Sequence, residues 1–159
     1  MTFDFRRPDL DDFSEEWSKD AEMDLTEPHV ELSKVGTLHA KWLKVLTYHK
    51  AAVAKLDIEY KKEKKFKWEY YRGDPSVEEE VKKRGLTDYY SHAKILDAKI
   101  PIYLESDTDL ININLKKALH QLVVDFSESV MTEIKNRSYE LQNIIKWEIF
   151  TGGPGNGAQ

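Results

Sequence analysis

Residues 26–72 read TEPHVELSKVGTLHAKWLKVLTYHKAAVAKLDIEYKKEKKFKWEYYR. Within them Leu32, Val35, His39, Trp42, Leu46, His49, Val53, Leu56 and Tyr60 recur at alternating steps of three and four. That spacing gathers side chains on one stripe of an α-helix, so a single long helix is predicted across 26–72. Thr26 supplies an N-cap hydroxyl, with Glu27 and Pro28 suited to the first turn. At the other end Gly73-Asp74-Pro75 stops the pattern, because glycine accepts the left-handed conformation and proline cannot continue a helix. A stripe of this length needs a partner helix to cover it.

A second apolar face that can pack in a hairpin or between subunits lies towards the C-terminus. Leu115, Leu119, Leu122, Phe126, Val130, Ile134, Leu141 and Ile145 mark the apolar face of a second long helix over 106–150, opened by Ser106 and Asp109 as a capping box with Asp in place of Glu. Upstream, Leu10, Phe13 and Trp17 give a short amphipathic helix between Asp9 and Met23, inside an acidic arm spanning 1–25. Residues 75–105 form a linker region: a short helix from Pro75 to Arg84 ended by Gly85, a second possible helix across TDYYSHAKILDAKI, and IPIYLE as an extended segment. The run TGGPGNGAQ cannot pack and makes 151–159 a flexible tail. The expectation is all-α, one helical domain over 1–150, with the long helices packed as a hairpin or coiled-coil-like protomer. Trp42, Leu46, Val53, Leu56, Leu122, Phe126, Val130, Ile134, Leu141 and Ile145 are its core or oligomer contacts.

The 159 residues carry a net charge of −5, but unevenly. Residues 1–31 hold eleven Asp or Glu against three Lys or Arg, a net of −8, whereas residues 41–72 hold ten Lys or Arg against four acids, a net of +6. A basic segment inside an acidic chain points to an anionic partner that the overall charge would hide. Cysteine is absent, which removes disulfides, thiolate catalysis and Cys-based zinc sites. No apolar run approaches the roughly 18 residues of a membrane span, and Met1–Phe13 is too acidic for a targeting peptide, so a cytoplasmic location is expected.

The chemistry concentrates in the last turns of the central helix. Lys61, Lys64, Lys65 and Trp68 share a face at i, i+3, i+4 and i+7, with Lys67 and Tyr71 beside it, and Lys62 and Arg72 complete the candidate DNA contacts. Ammonium groups neutralise successive phosphates, and Phe66, Trp68, Tyr70 and Tyr71 offer planes on which unpaired bases stack. The plainer reading is a solvated lysine face over core aromatics, in a structural coiled-coil or scaffold protein. His39 and His49 lie ten residues apart, too far for a helical metal pair, and read as polar register positions. Glu78-Glu79-Glu80, Asp107 and Asp109 read as acids favoured by helix N-termini. A carboxylate-dependent nuclease built on Glu78–Glu80 and Asp107 ranks last, and no phosphate-binding glycine loop or nucleophile motif is present. Neither a catalytic site nor a metal or cofactor is expected.

Three strings go further: LHAKWL at 38–43, KKFKWEYYRGD at 64–74 and VDFSESVMTEIKNRSYELQNIIKWEIFTGG at 124–153 resemble the UvsY family of tailed-phage recombination mediators. The resemblance covers the acidic start and both long helices in order, and is blurred over 75–105. It implies an all-helical protein assembled as a ring-like homo-oligomer, heptameric in the family, that binds single-stranded DNA. It also implies that the protein loads the phage's RecA-like recombinase onto strands coated by the phage single-strand-binding protein, in the cytoplasm of the infected host. The family's DNA-binding run LKARL, set before a Tyr-Tyr pair, superimposes its Lys and Arg on Lys65 and Lys67. Here the run reads KKFKW, so lysine replaces arginine, and Phe66 and Trp68 replace small and aliphatic residues. A lysine keeps the charge without the bidentate geometry of arginine, and the two rings add stacking surface.

Overall fold

The computed structural model describes residues 8–86 and 95–152, which contain helices and no strand. Five α-helices follow one another: α1 Leu10–Ala21, α2 Pro28–Arg72, α3 Glu78–Lys83, α4 Ile100–Glu105 and α5 Thr108–Gly152. Short 3-10 turns, Pro75–Val77 and Asp97–Lys99, precede α3 and α4. The two long helices are within two residues of their predicted limits at each end. The possible helix over TDYYSHAKILDAKI falls largely on residues outside those described; of the expected tail 151–159, Thr151 and Gly152 instead continue α5, and the rest lies outside the described residues. The described residues form two compact units, one drawn from Met1–Lys50 and Leu119–Gln159, the other from Ala51–Ala118.

The first unit is built around Phe13, Trp42, Val45, Val123, Val130 and Ile134, with Trp17, Val35, Leu38, Phe126 and Met131 packed on them. Burying rings of this size contributes roughly 1.5–3 kcal/mol each, and Trp17, Trp42 and Phe126 meet edge to face with centroids 5.7 and 6.0 Å apart. Helix α1 is tied down by polar contacts as well. The Trp42 indole N–H donates to Asp20 at 2.9 Å, and Lys41 bridges Glu16 and Asp20 at 2.6 Å each. Beyond its last turn, the buried Arg137 guanidinium donates to the carbonyls of Asp20, Ala21 and Glu22. These are carbonyls that a helix end leaves without intrahelical partners. Two acids of the N-terminal arm are therefore used internally.

In the second unit, the last turns of α2 pack on two small clusters. Tyr70, Val77 and Val81 gather Phe66, Tyr71 and Leu86, while Ile100, Leu104 and Leu110 gather Tyr60, Tyr71 and Ile95. The chain turns from α2 into this layer at Gly73, whose φ of 73° suits glycine. Gly73 N–H donates to Tyr70 and Asp74 N–H to Glu69, the paired bonds of a Schellman cap.

Four expectations are corrected. IPIYLE is helix α4 and not extended, because among the described residues there is no strand for it to pair with and the helix puts Ile100 and Leu104 together on the buried side; Pro101 is tolerated in the first turn. The N-cap of α5 is Asp107 and not Ser106: its Oδ1 accepts from the N–H groups of Asp109 and Leu110, while the Ser106 hydroxyl donates back to Ile102 and Tyr103. Thr26 donates its hydroxyl to Asp24 and does not cap α2, whose first carbonyl bonds come from Glu27. Finally, Leu115, Leu119 and Leu122 are exposed in the protomer. The buried stripe of α5 runs instead through Ile113, Val123, Ser127, Val130, Ile134, Arg137 and Leu141, with His120 half-buried along it, and its polar members escaped a pattern built on apolar residues alone. Of the other expected core positions, Trp42, Leu46, Val130, Ile134 and Leu141 are buried, and Val53, Leu56, Phe126 and Ile145 half-buried.

Candidate nucleic-acid interface

Residues 61–72 continue α2 to its end, so their directions follow from helical geometry. Residues separated by four, three and four positions point the same way, and Lys61, Lys65, Trp68 and Arg72 form one such stripe, about 16 Å long at 1.5 Å per residue. All four are exposed. Trp68 presents 38% of its surface, and the side chains of Lys61 and Lys65 about three quarters of theirs. Lys62 and Lys64 are exposed on the flanks, Lys64 with its ammonium 5.9 Å from the Tyr60 ring.

The rest of the segment turns inward. Phe66 stacks on Tyr70 with centroids 6.2 Å apart and planes 10° from parallel. Over the same ring lies the Arg84 guanidinium at 4.0 Å, anchored by Glu63 and Glu80. Tyr71 donates its hydroxyl to Asp107 at 2.7 Å. Of the four rings expected as stacking platforms, Trp68 alone is exposed, and Phe66, Tyr70 and Tyr71 serve the second unit's packing.

Lys67, expected among the phosphate contacts, is 5% exposed. Its Nζ lies 2.5 Å from Asp109 and 3.0 Å from Asp107. Burial alone would lower its pKa, but hydrogen bonds to Asp109 and Asp107 outweigh this and hold it above the usual lysine value. Asp107 responds in the opposite sense: burial would raise it, and the Tyr71 and Lys67 hydrogen bonds with the capping N–H of Leu110 bring it below the usual carboxylate range. These two acids were legible only as helix-start residues. Their pairing with a lysine some forty residues away is set by tertiary structure.

The exposed cations are paired at the surface. Lys61 reaches Asp57 at 2.7 Å, Lys65 reaches Glu69 at 3.7 Å and Arg72 reaches Asp97 at 3.9 Å. Solvent-exposed pairs of this kind are weak and exchange readily for another anion. Asp57 also accepts from Lys117, and Lys117 and Lys61 together hold its carboxyl at about 2. Of the acids considered for metal chemistry, Glu78 pairs with Lys82, Glu80 with Arg84 and Asp107 with Lys67. Among the described residues no group of three or more His, Cys, Asp or Glu could hold a metal ion. No helix among them is apolar enough over the required length to cross a membrane.

A row of cations around one open indole has the chemistry that suits a flexible polyanion with exposed base faces. Residues 16–154 match the family model described as "Recombination, repair and ssDNA binding protein UvsY", and the chain belongs to that family. It is 24% identical over 144 residues to the recombination protein uvsY of Enterobacteria phage T4, covering 91% of this chain and 98% of that protein. The fold agrees with crystal structures of the bacteriophage T4 recombination mediator protein UvsY. In lattice type II the TM-score is 0.73 at 21% identity, covering 92% of this chain and all of that one. In lattice type IV it is 0.71 at 24% identity, covering 89% and 98%.

Proposed function

We propose that this protein is a recombination mediator that holds single-stranded DNA along the stripe Lys61, Lys65, Trp68 and Arg72, flanked by Lys62 and Lys64. In this reading it loads a RecA-like phage recombinase onto strands coated by single-strand-binding protein, during recombination, recombination-dependent replication and repair in the infected cell. The observation that carries the reading is the exposure of one indole within a row of cations, in a member of a single-strand-binding family. Phosphates displace Asp57, Glu69 and Asp97 from the cations, and a base stacks on Trp68 at roughly 1–3 kcal/mol.

A single stripe of this kind binds weakly. A ring-like homo-oligomer, seven-membered by family resemblance, repeats it, so a strand touching several copies is held by effective concentration and can still be released one copy at a time. That combination suits a mediator, which takes DNA from one protein and gives it to another. No cofactor enters this reading.

The test is fluorescence anisotropy of labelled oligo-dT over a range of salt, for the wild type, for Lys61→Gln with Lys65→Gln, and for Lys146→Gln as a control on another exposed surface. The slope of log K against log salt should shrink by roughly 0.7 for each phosphate that the double variant no longer neutralises, and stay unchanged in the control. Absence of binding at low salt by folded protein would overturn the reading in favour of a structural role. Loading is tested separately, by the lag before a recombinase's DNA-dependent ATPase starts on strands coated with single-strand-binding protein. Addition of this protein should shorten it.

A further inference from the structure

Lys65 and Lys67, both expected as phosphate contacts, have different surroundings here. They stand two positions apart on a helix, so their side chains leave α2 about 200° apart. Lys65 faces solvent; Lys67 faces the first turn of α5. We propose that Lys67 is a positioning residue for the DNA-binding stripe and does not itself touch DNA, an inference that rests on the reading of the stripe given above.

The geometry ties three side chains into one joint. Asp107 Oδ2 lies 3.0 Å from the Lys67 ammonium and accepts from the Tyr71 hydroxyl at 2.7 Å. Its Oδ1 caps α5 through the N–H groups of Asp109 and Leu110. Both oxygens of one buried carboxylate are thus used, one on α2 and one on α5. Lys67 and Tyr71 are four apart, so they grip this carboxylate from successive turns. Trp68 and Arg72 follow them directly in sequence, on the outer side of those same turns. The joint fixes the outward direction of the stripe's last two members by fixing the inward direction of their neighbours.

Delivering Lys67 to a phosphate would require its ammonium to leave two carboxylates at 2.5 and 3.0 Å. Asp107, 6% exposed, would lose its cation while remaining buried. Breaking a buried pair by removing one partner is strongly unfavourable, whereas the exposed pairs of Lys61 and Lys65 can exchange their anion in water. DNA therefore takes the outer cations and leaves the inner one in place.

The two roles predict opposite signs for one substitution. Were Lys67 a phosphate contact, Asp107 and Asp109 would compete with DNA for it, and neutralising either would tighten binding. As a positioning residue, Lys67 needs Asp107, and neutralising that acid weakens binding. Oligo-dT anisotropy across salt is measured on the full-length protein for Lys65→Gln, Lys67→Met, Asp107→Asn and Asp109→Asn, at temperatures where circular dichroism shows each folded. Lys67→Met and Asp107→Asn are expected to bind several-fold more weakly at every salt with the wild-type slope, and Asp109→Asn no more tightly than wild type. A slope reduced by roughly 0.7 in Lys67→Met, or tighter binding by either Asp variant, would make Lys67 a direct contact and overturn the proposal. Unchanged affinity in folded Lys67→Met would also overturn it, leaving only a structural lysine. Should Lys67→Met not fold, the sign seen in Asp109→Asn, whose side chain is 59% exposed, decides between contact and positioning. An unchanged slope in Lys65→Gln would instead count against the stripe itself.

Discussion

His49 and His120 face each other nitrogen to nitrogen, Nδ1 to Nδ1 at 2.8 Å, within the first unit. One imidazole donates to the other, an arrangement available only while at least one of them is neutral. His49 is fully buried, with Phe13 at 5.3 Å edge to face and Tyr48 at 5.2 Å. Burial, with His120 beside it, lowers its pKa to about 4, and burial also lowers that of His120.

A pH dependence of stability follows. Both folded values lie below the ordinary histidine value of about 6.5, so the unfolded chain binds protons that the folded chain refuses. The stabilisation is complete above about pH 6.5 and is lost as pH falls towards 4, by on the order of 3 kcal/mol for His49. Urea melts of wild type and His49→Gln at pH 7.5 and pH 5 check this. The wild type should lose more stability between the two than the variant, and equal losses would refute the assignment.

Arg137→Met should cost about 2–4 kcal/mol, because three carbonyls around the end of α1 lose a charged donor at a buried position. Arg137→Lys should recover only part of this, since an ammonium cannot reproduce the planar fork. Thermal unfolding followed by circular dichroism gives the order wild type, Lys, Met.

Trp68→Ala and Phe66→Ala separate the two sides of α2. The first should weaken oligo-dT binding by about 1–3 kcal/mol and leave unfolding nearly unchanged. The second removes a ring stacked on Tyr70 and covered by Arg84, and should lower stability by up to about 3 kcal/mol. Anisotropy and urea melts on the same samples show whether the effects divide in this way.

Asp57→Asn frees Lys61 from its nearest acid while leaving every cation of the stripe in place. Oligo-dT binding should tighten a few-fold at low salt, and the gain should vanish by about 0.5 M salt, where screening leaves little of an exposed pair. A gain that persists at high salt would point to a conformational effect.

Much of this fold is legible in the residues. The three-four spacing from Leu32 to Tyr60, the stop at Gly73 and the acidic entry to α5 identify both long helices, since these signals act within a turn or two. The errors lie where the decisive partner is distant. IPIYLE has local β preference, but a strand needs a neighbour and a helix needs only itself. The seam of α5 passes through His120 and Arg137, both accommodated by something not adjacent in sequence: the ring of His49 for the first and the end of α1 for the second. The candidate site divides similarly. Lysine and aromatic content mark residues 61–72 as basic, yet which of them face solvent depends on α3, α4 and the start of α5, and nothing local distinguishes Lys67 from Lys65.

The seating of α1 has a consequence for how the chain is made. Phe13 and Trp17 pack against residues of α5, and the carbonyls at the end of α1 wait for Arg137, more than a hundred residues later. On a ribosome adding roughly 5–20 residues per second, the first helix is synthesised about 6–23 s before its last anchor. Throughout that interval the indole of Trp42 and the ring of Phe13 lack part of their cover. Nascent chains on one messenger would then be open to one another before any of them is complete.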